Sequence, residues 1–400
     1  MKNLRRAVER GLPAAVSFLQ ELVRVPSLLG NEELAQRLVA ERLEELGFEV
    51  RSVEPDAARL AEHADAGIPL IPYQGRRSLV GTLAGGGGRS LLLNGHVDVV
   101  SEEPADRWTH PPFRAEIDGG RLYGRGACDM KGGIAAMLLA VEAALAEGPL
   151  PGAVVYQSVI EEECGGNGAL AACLVGPTAA GVVIAEPTDG AMDLVAPGVI
   201  WARITLETRS RHASHADEGS NPIEDAFAVV SSLRELESTL NQRPEPEFAG
   251  VSRPYLLNIG ALHGGDWPSM TPGRAELDVR LAFPIRMDPG EAQALLAAAV
   301  ERADGDARVE FRGFRARGYA FDAAAPLVRL LGECHAEVRG TTLLAEPSRA
   351  TTDLRFFQPG EAVCYGPTGA GLHGVDEWVD LESIADVATV LALLIRRWGT

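Results

Sequence analysis

Three apolar runs in this chain each pass directly into potential metal ligands, and no other feature restricts the fold as much. Leu91-Leu92-Leu93-Asn94-Gly95 leads to His96 and Asp98, Val154 to Ile160 leads to Glu161, Glu162 and Glu163, and Val182-Val183-Ile184-Ala185 leads to Glu186. Short continuous apolar runs bounded by turn signals read as buried strands. Open α/β sheets bind ligands beyond the carboxyl ends of their strands. Carboxylates and imidazoles collected at that edge point to a hydrolytic metal centre. Between the first two runs, the glycine-rich segment from Gly124 to Gly133 adds Asp129 ahead of a helix. The buried face of that helix carries Ile134, Met137, Leu138, Val141 and Leu145.

Helical spacing over 4–24 and 32–46 precedes two strands, Phe48–Val53 and Ser78–Leu83, separated by a proline- and glycine-rich excursion over 55–76. Strand and helix then alternate through Glu186, the mark of a mostly parallel, doubly wound sheet. Near Pro197 the pattern changes. A strand at Val199–Thr208, a helix over 222–240, strands at Tyr255–Leu262 and Arg274–Phe283, a helix over 289–303 and a strand at Arg308–Phe314 follow in the order β-α-β-β-α-β of a ferredoxin-like unit. Alpha/beta features resume with a helix over 326–338, a strand at Ala362–Tyr365 and an amphipathic helix from Leu381 to Trp398. The expected architecture is an α/β catalytic domain, 1–197 and 316–400, interrupted by a ferredoxin-like α+β domain at 198–315.

The chemistry follows from residue type and setting. Residues two apart on a strand face one way, so His96 and Asp98 can sit together, the acid fixing the ring of a ligand. One short carboxylate at Asp129 could bridge two cations, although an aspartate there also suits a helix N-cap. Three consecutive glutamates repel one another unless cations or solvent relieve them. Adjacent residues project differently, so one glutamate can bind metal while its neighbour takes a proton from water. His373 follows a strand within Gly366-Pro367-Thr368-Gly369-Ala370-Gly371-Leu372-His373-Gly374. That segment matches G-x-G-x-x-G but opens no helix, which excludes a dinucleotide site. The Gly85–Gly88 run lacks the G-K-[ST] of a phosphate loop, and neither a G-x-S-x-G elbow nor H-E-x-x-H occurs.

Taken together, N-G-H-V-D-V-V, G-R-G-A-C-D-M-K-G-G, E-E-E-C-G-G, A-E-P-T and L-H-G resemble the co-catalytic zinc amidohydrolases. That family includes acetylornithine deacetylase, succinyl-diaminopimelate desuccinylase, aminoacylase and bacterial glutamate carboxypeptidase. The likeness runs in order over nearly the whole chain. It implies two zinc ions per subunit, with cobalt or manganese as alternatives, bridged by Asp129. His96 and Glu186 would complete one site, and Glu163 and His373 the other. Glu162 would be the general base, Asp98 would orient His96, and a cis peptide would follow Asp129. In the inserted unit, Arg211-His212-Ala213-Ser214 and Gly219-Ser220-Asn221-Pro222 resemble the segment whose histidine polarises the scissile carbonyl from the partner subunit. The spacing to Asn221-Pro222 favours His212 over His215. Arg280 matches a position suited to a substrate carboxylate, with Asn258 as a second candidate; a structural ion pair is the alternative for Arg280.

A net charge of −19 argues against nucleic acid and anionic membrane as partners. Five scattered cysteines without C-x-x-C fit a reducing compartment, and no stretch reads as a signal peptide or a membrane span. The expectation is a cytoplasmic amidohydrolase, dimeric through the inserted domain, acting on N-acyl amino acids or related amines in the deacetylase or desuccinylase manner. A dipeptidase or carboxypeptidase and an N-formyl amine deformylase are alternatives on the same centre. A metal-binding scaffold is the non-enzymatic one.

Overall fold

The computed structural model describes the whole chain, Met1–Thr400. Two helices, α1 (Lys2–Val23) and α2 (Glu33–Glu45), precede strands β1 (Glu49–Val53), β2 (Ser78–Leu83) and β3 (Gly88–His96). Helix α3 (Gly132–Leu145) leads to β4 (Gly152–Val159), and α4 (Asn167–Val175) to β5 (Gly181–Ile184). The chain then leaves for a second unit: β6 (Gly198–Glu207), α5 (Pro222–Leu240), β7 (Leu257–Gly264), β8 (Arg274–Phe283), α6 (Pro289–Ala303) and β9 (Arg308–Ala316). It returns through α7 (Pro326–Arg339), β10 (Ala362–Cys364) and α8 (Leu381–Trp398).

The main sheet has the order β1-β2-β4-β3-β5-β10 and is extended by the two-residue strands Met192–Asp193 and Ala345–Glu346. Neighbours β4, β3, β5 and β10 are parallel, while β1 and β2 run antiparallel at one edge. Helices α1, α3 and α8 pack on one another, and α3 and α8 also on β3. Nearly every residue of α3 is buried, as a helix apolar all round requires. Each fully buried Leu or Val in this core contributes roughly 1.5–3 kcal/mol. No helix is long and apolar enough to cross a membrane.

The second sheet, β7-β8-β6-β9, is antiparallel throughout, the order a ferredoxin-like unit requires. It encloses its own core of Ile200, Ile204, Leu233, Leu277, Leu281 and Leu296, separate from that of the main sheet. Local chemistry sets the helix starts. Asn221 caps α5 ahead of Pro222, and Asp288 and Glu291 form a capping box around Pro289 on α6.

Lys131, one of only two lysines in the chain, is fully buried. Its Nζ donates to the carbonyls of Leu22 and Val25, each at 2.9 Å, which ties the turn before α3 to the end of α1.

Candidate metal centre

Strand register assembles the site. His96 lies opposite Val159, and Asn94 opposite Ile184, so the carboxyl ends of β3, β4 and β5 are level. The residues just beyond those ends, Glu162, Glu163 and Glu186, therefore arrive beside His96. Asp129 comes from the turn Ala127–Lys131 before α3, and its peptide bond to Met130 is cis. Gly133 lets α3 start against β5, since a Cβ there would lie 2.0 Å from the carbonyl oxygen of Ala185. His373 comes from the loop between Gly369–Ala370 and Trp378–Asp380. It has φ +57° and Glu161 has φ +67°, left-handed values that non-glycine residues seldom adopt. Such strain gathers at functional sites, where surrounding contacts hold it.

The two oxygens of Asp129 face different imidazoles. Oδ1 lies 3.2 Å from His96 Nε2, and Oδ2 lies 3.3 Å from His373 Nε2. Glu186 Oε1 is 3.8 Å from the same nitrogen of His96, and Glu163 Oε2 is 3.1 Å from that of His373. Glu162 belongs to the same cluster, with one oxygen within 4.8 Å of His96 and Glu186 ligand atoms. Its Oε1 is buried and has no hydrogen-bond partner.

The electrostatics show that the cluster demands positive charge. Burial pushes the carboxyls of Glu186 and Glu162 well above the usual range, with Asp353 adding to the effect on Glu162. Burial also opposes ionisation of Asp129, yet hydrogen bonds from His373 and His96 hold its carboxyl far below that range. The rings respond in kind. Desolvation disfavours a charged His373, but Asp129 and Glu163 push it up to about 11. Nitrogen and carboxylate donors in this number suit zinc, cobalt or manganese, so these residues fit a pair of divalent ions.

Asp98 is placed differently from a simple ring partner. His96 Nδ1 lies 2.9 Å from the backbone carbonyl of Asp98, and 3.7 Å from its carboxylate. That carboxylate instead accepts from the backbone N–H groups of Glu162 and Glu163, at 3.2 and 3.0 Å. It thereby joins the end of β3 to the glutamate turn. On the other side of the turn, Glu161 accepts from Tyr73 Oη at 2.9 Å and Arg76 Nη1 at 3.0 Å, and Arg76 also pairs with buried Glu32. The excursion over 55–76 thus braces the glutamate run. Nothing in the sequence marks Tyr73 or Arg76 for this task, since Glu161 is more than 80 residues away.

The remaining candidates belong to the second unit. Arg280 on β8 stands between Asn258 on β7 and Trp201 on β6 in the register. It is half-buried and pairs with no carboxylate; its Nη2 donates to the carbonyl of Arg349 at 3.3 Å. Burial alone lowers its pKa. Asn258 is exposed. His212 is exposed as well, and its Nδ1 meets Ser214 Oγ at 2.7 Å and Ser214 N–H at 3.1 Å. An isolated β-bridge ties its backbone to Met270. Within one chain His212 makes no bond to the His96–Asp129 cluster.

A family model described as Peptidase family M20/M25/M40 matches residues 92–397. A succinyl-diaminopimelate desuccinylase of Dechloromonas aromatica (strain RCB) is 29% identical over 404 residues, covering 96% of this chain and 98% of that protein. The N-formyl-4-amino-5-aminomethyl-2-methylpyrimidine deformylase of Bacillus subtilis (strain 168) is 27% identical over 410 residues, covering 92% and 90%. Among solved structures, the di-peptidase Dug1p of Saccharomyces cerevisiae superposes with a TM-score of 0.83 at 15% identity, covering 100% of this chain and 98% of that one.

Proposed function

From its membership of peptidase family M20/M25/M40, to which the chain belongs, we infer that this metal-dependent amidohydrolase cleaves the amide bond of an N-acyl amino acid or related N-acyl amine. One observation carries the reading: Asp129 divides its two oxygens between His96 and His373, while a buried oxygen of Glu162 is left without a partner. His96, Asp129 and Glu186 would hold one divalent ion, and Asp129, Glu163 and His373 the second, with zinc the first choice and cobalt or manganese suited to the same donors. Bound there, the ions supply Lewis acidity and lower the pKa of a water toward neutrality.

Glu162 takes the proton of the attacking water and later delivers it to the leaving amine nitrogen. Asp98 keeps Glu162 and Glu163 in register with His96 through their backbone N–H groups. His212 has its Nδ1 occupied by Ser214, which leaves Nε2 to donate to the carbonyl oxygen of a substrate, from the partner subunit of a homodimer formed through the inserted domain. Arg280, with Asn258 beside it, receives the substrate carboxylate; its guanidinium has no acidic partner of its own, and a planar fork matches a carboxylate. The division into 1–197, 198–315 and 316–400 and a cytoplasmic location belong to the same reading.

The test is a panel of N-acetyl, N-succinyl and N-formyl amines and dipeptides, assayed on chelator-stripped protein reloaded with zinc or cobalt. The highest kcat/KM is expected for an N-acyl amino acid with a free carboxylate. Faster turnover of a dipeptide would shift the reading to a peptidase. The deformylase relative, similar over most of the chain, favours N-formyl amines as the second reading, and the same panel separates it.

Changing His212 to Ala is expected to lower kcat by about 10²–10³-fold, the range for one lost oxyanion donor, with metal content unchanged. Mixed dimers of His212→Ala and Glu162→Gln subunits should recover activity if His212 acts across the interface. Retention of full kcat in His212→Ala would remove it from the mechanism.

A further inference from the structure

Two of the proposed ligands, His96 and Glu186, sit at or just past the ends of adjacent strands, where sheet register holds them. Asp129 and His373 come from loops, and one buried ion pair touches both. Glu377 Oε1 accepts from the backbone N–H groups of Cys128 and Asp129, at 2.9 and 3.1 Å. Its Oε2 accepts from Gly126 N–H at 3.0 Å and from Arg125 Nη1 at 2.7 Å. Arg125 then turns its Nη2 to the carbonyls of Gly374, at 2.9 Å, and Ser101, at 3.1 Å. Both side chains are 1% exposed. Gly374 directly follows His373, whose left-handed backbone needs an external hold.

We propose that Arg125 and Glu377 are positioning residues that set the separation of Asp129 and His373, and so build the Glu163–His373 half of the metal centre. The inference rests on the proposed assignment of metal ligands. Burying an ion pair is costly unless its remaining hydrogen-bonding groups are satisfied. Here the carboxylate is saturated by four donors and the guanidinium makes three bonds, leaving Nε alone without a partner. The two loops leave paired strands, Tyr123 opposite Trp378, and the ion pair carries that link on from the strands to Asp129 and Gly374. An amide at 377 would turn an NH2 group toward N–H donors, and a lysine at 125 cannot reach Glu377 and the Gly374 carbonyl with one ammonium in the geometry of a planar fork. Both residues act on the site through backbone N–H and carbonyl groups of its loops.

The experiment titrates the full chain, stripped with a chelator, with Zn²⁺ by calorimetry and with Co²⁺ by visible absorption. The parent is compared with Arg125→Lys and Glu377→Gln, and folding is followed by circular dichroism and thermal melting. The expected result is that the parent binds two ions, whereas both variants fold, keep one tightly bound ion and bind the second about 10–100-fold more weakly, the usual cost of losing a support behind a ligand. Two ions held as tightly as in the parent would overturn the proposal, as would parallel weakening of both. Failure of both variants to fold would also overturn it, by making the pair a stability element. A parent that binds fewer than two ions would instead refute the ligand assignment itself.

Discussion

Glu162→Gln is expected to leave two metal ions bound and to lower kcat by about 10²–10⁴-fold, the span over which positioned acid–base groups act. The substitution preserves shape and removes only the ability to accept and return a proton. Its setting argues for this separation of binding from turnover. Glu162 Oε1 is buried and unpartnered, and none of the three closest carboxylate–imidazole contacts in the cluster involves it; those belong to Asp129 and Glu163. The glutamine would still be held through its backbone N–H to Asp98, so the turn carrying Glu163 should keep its place. Elemental analysis and stopped-assay kinetics on one preparation test both halves of the expectation. Loss of a metal ion would make Glu162 a ligand, and near-normal kcat would remove it as the base.

The parts of the site that were legible in the sequence are those that strands carry. Apolar runs ending at His96, Glu163 and Glu186 are visible because a buried parallel strand needs such a run, and its carboxyl end is where ligands collect. The β-α-β-β-α-β order of the inserted unit was legible for a similar reason: its helices and strands carry their own core and their own caps. Asp129 and His373 have no such periodic signal; glycine-rich segments marked them as candidates, and only the resemblance to a family gave them a ligand role. The supports behind the proposed ligands were not legible at all. Arg76 meets Glu161 across 85 residues, and Arg125 meets Glu377 across 252. Many of the bonds involved are made to backbone N–H and carbonyl groups, which every residue type offers. Asp98 shows the same limit: the i, i+2 spacing placed it beside His96, while its carboxylate is spent on the glutamate turn of another strand. His212 and Arg280 face a different constraint. Their proposed tasks depend on a substrate or a second subunit, and a single chain places one on an exposed loop and the other beside a backbone carbonyl.

Asp129→Asn separates the two kinds of residue most sharply, because here metal binding and activity should fall together. The carboxylate is the one group whose two oxygens face both imidazoles, at 3.2 and 3.3 Å. An asparagine of the same shape offers one oxygen and one NH2 group, and the NH2 would oppose whichever cation it faced. The loss of negative charge also matters, since Asp129 is the carboxyl held far below the usual range by its neighbours, against the effect of burial. It is thus the acid most firmly ionised in the cluster. The expected outcome is that neither ion survives gel filtration in metal-free buffer and that kcat/KM falls by at least about 10³-fold, roughly 4 kcal/mol of transition-state stabilisation. Backbone ties to Glu377 are independent of the side chain, so the variant should still fold, melting below the stripped parent because the ionised carboxylate's contacts with His96 and His373 are lost. Two tightly bound ions in the Asn variant would sink the bridging assignment, and one retained ion would show that Asp129 serves only a single site.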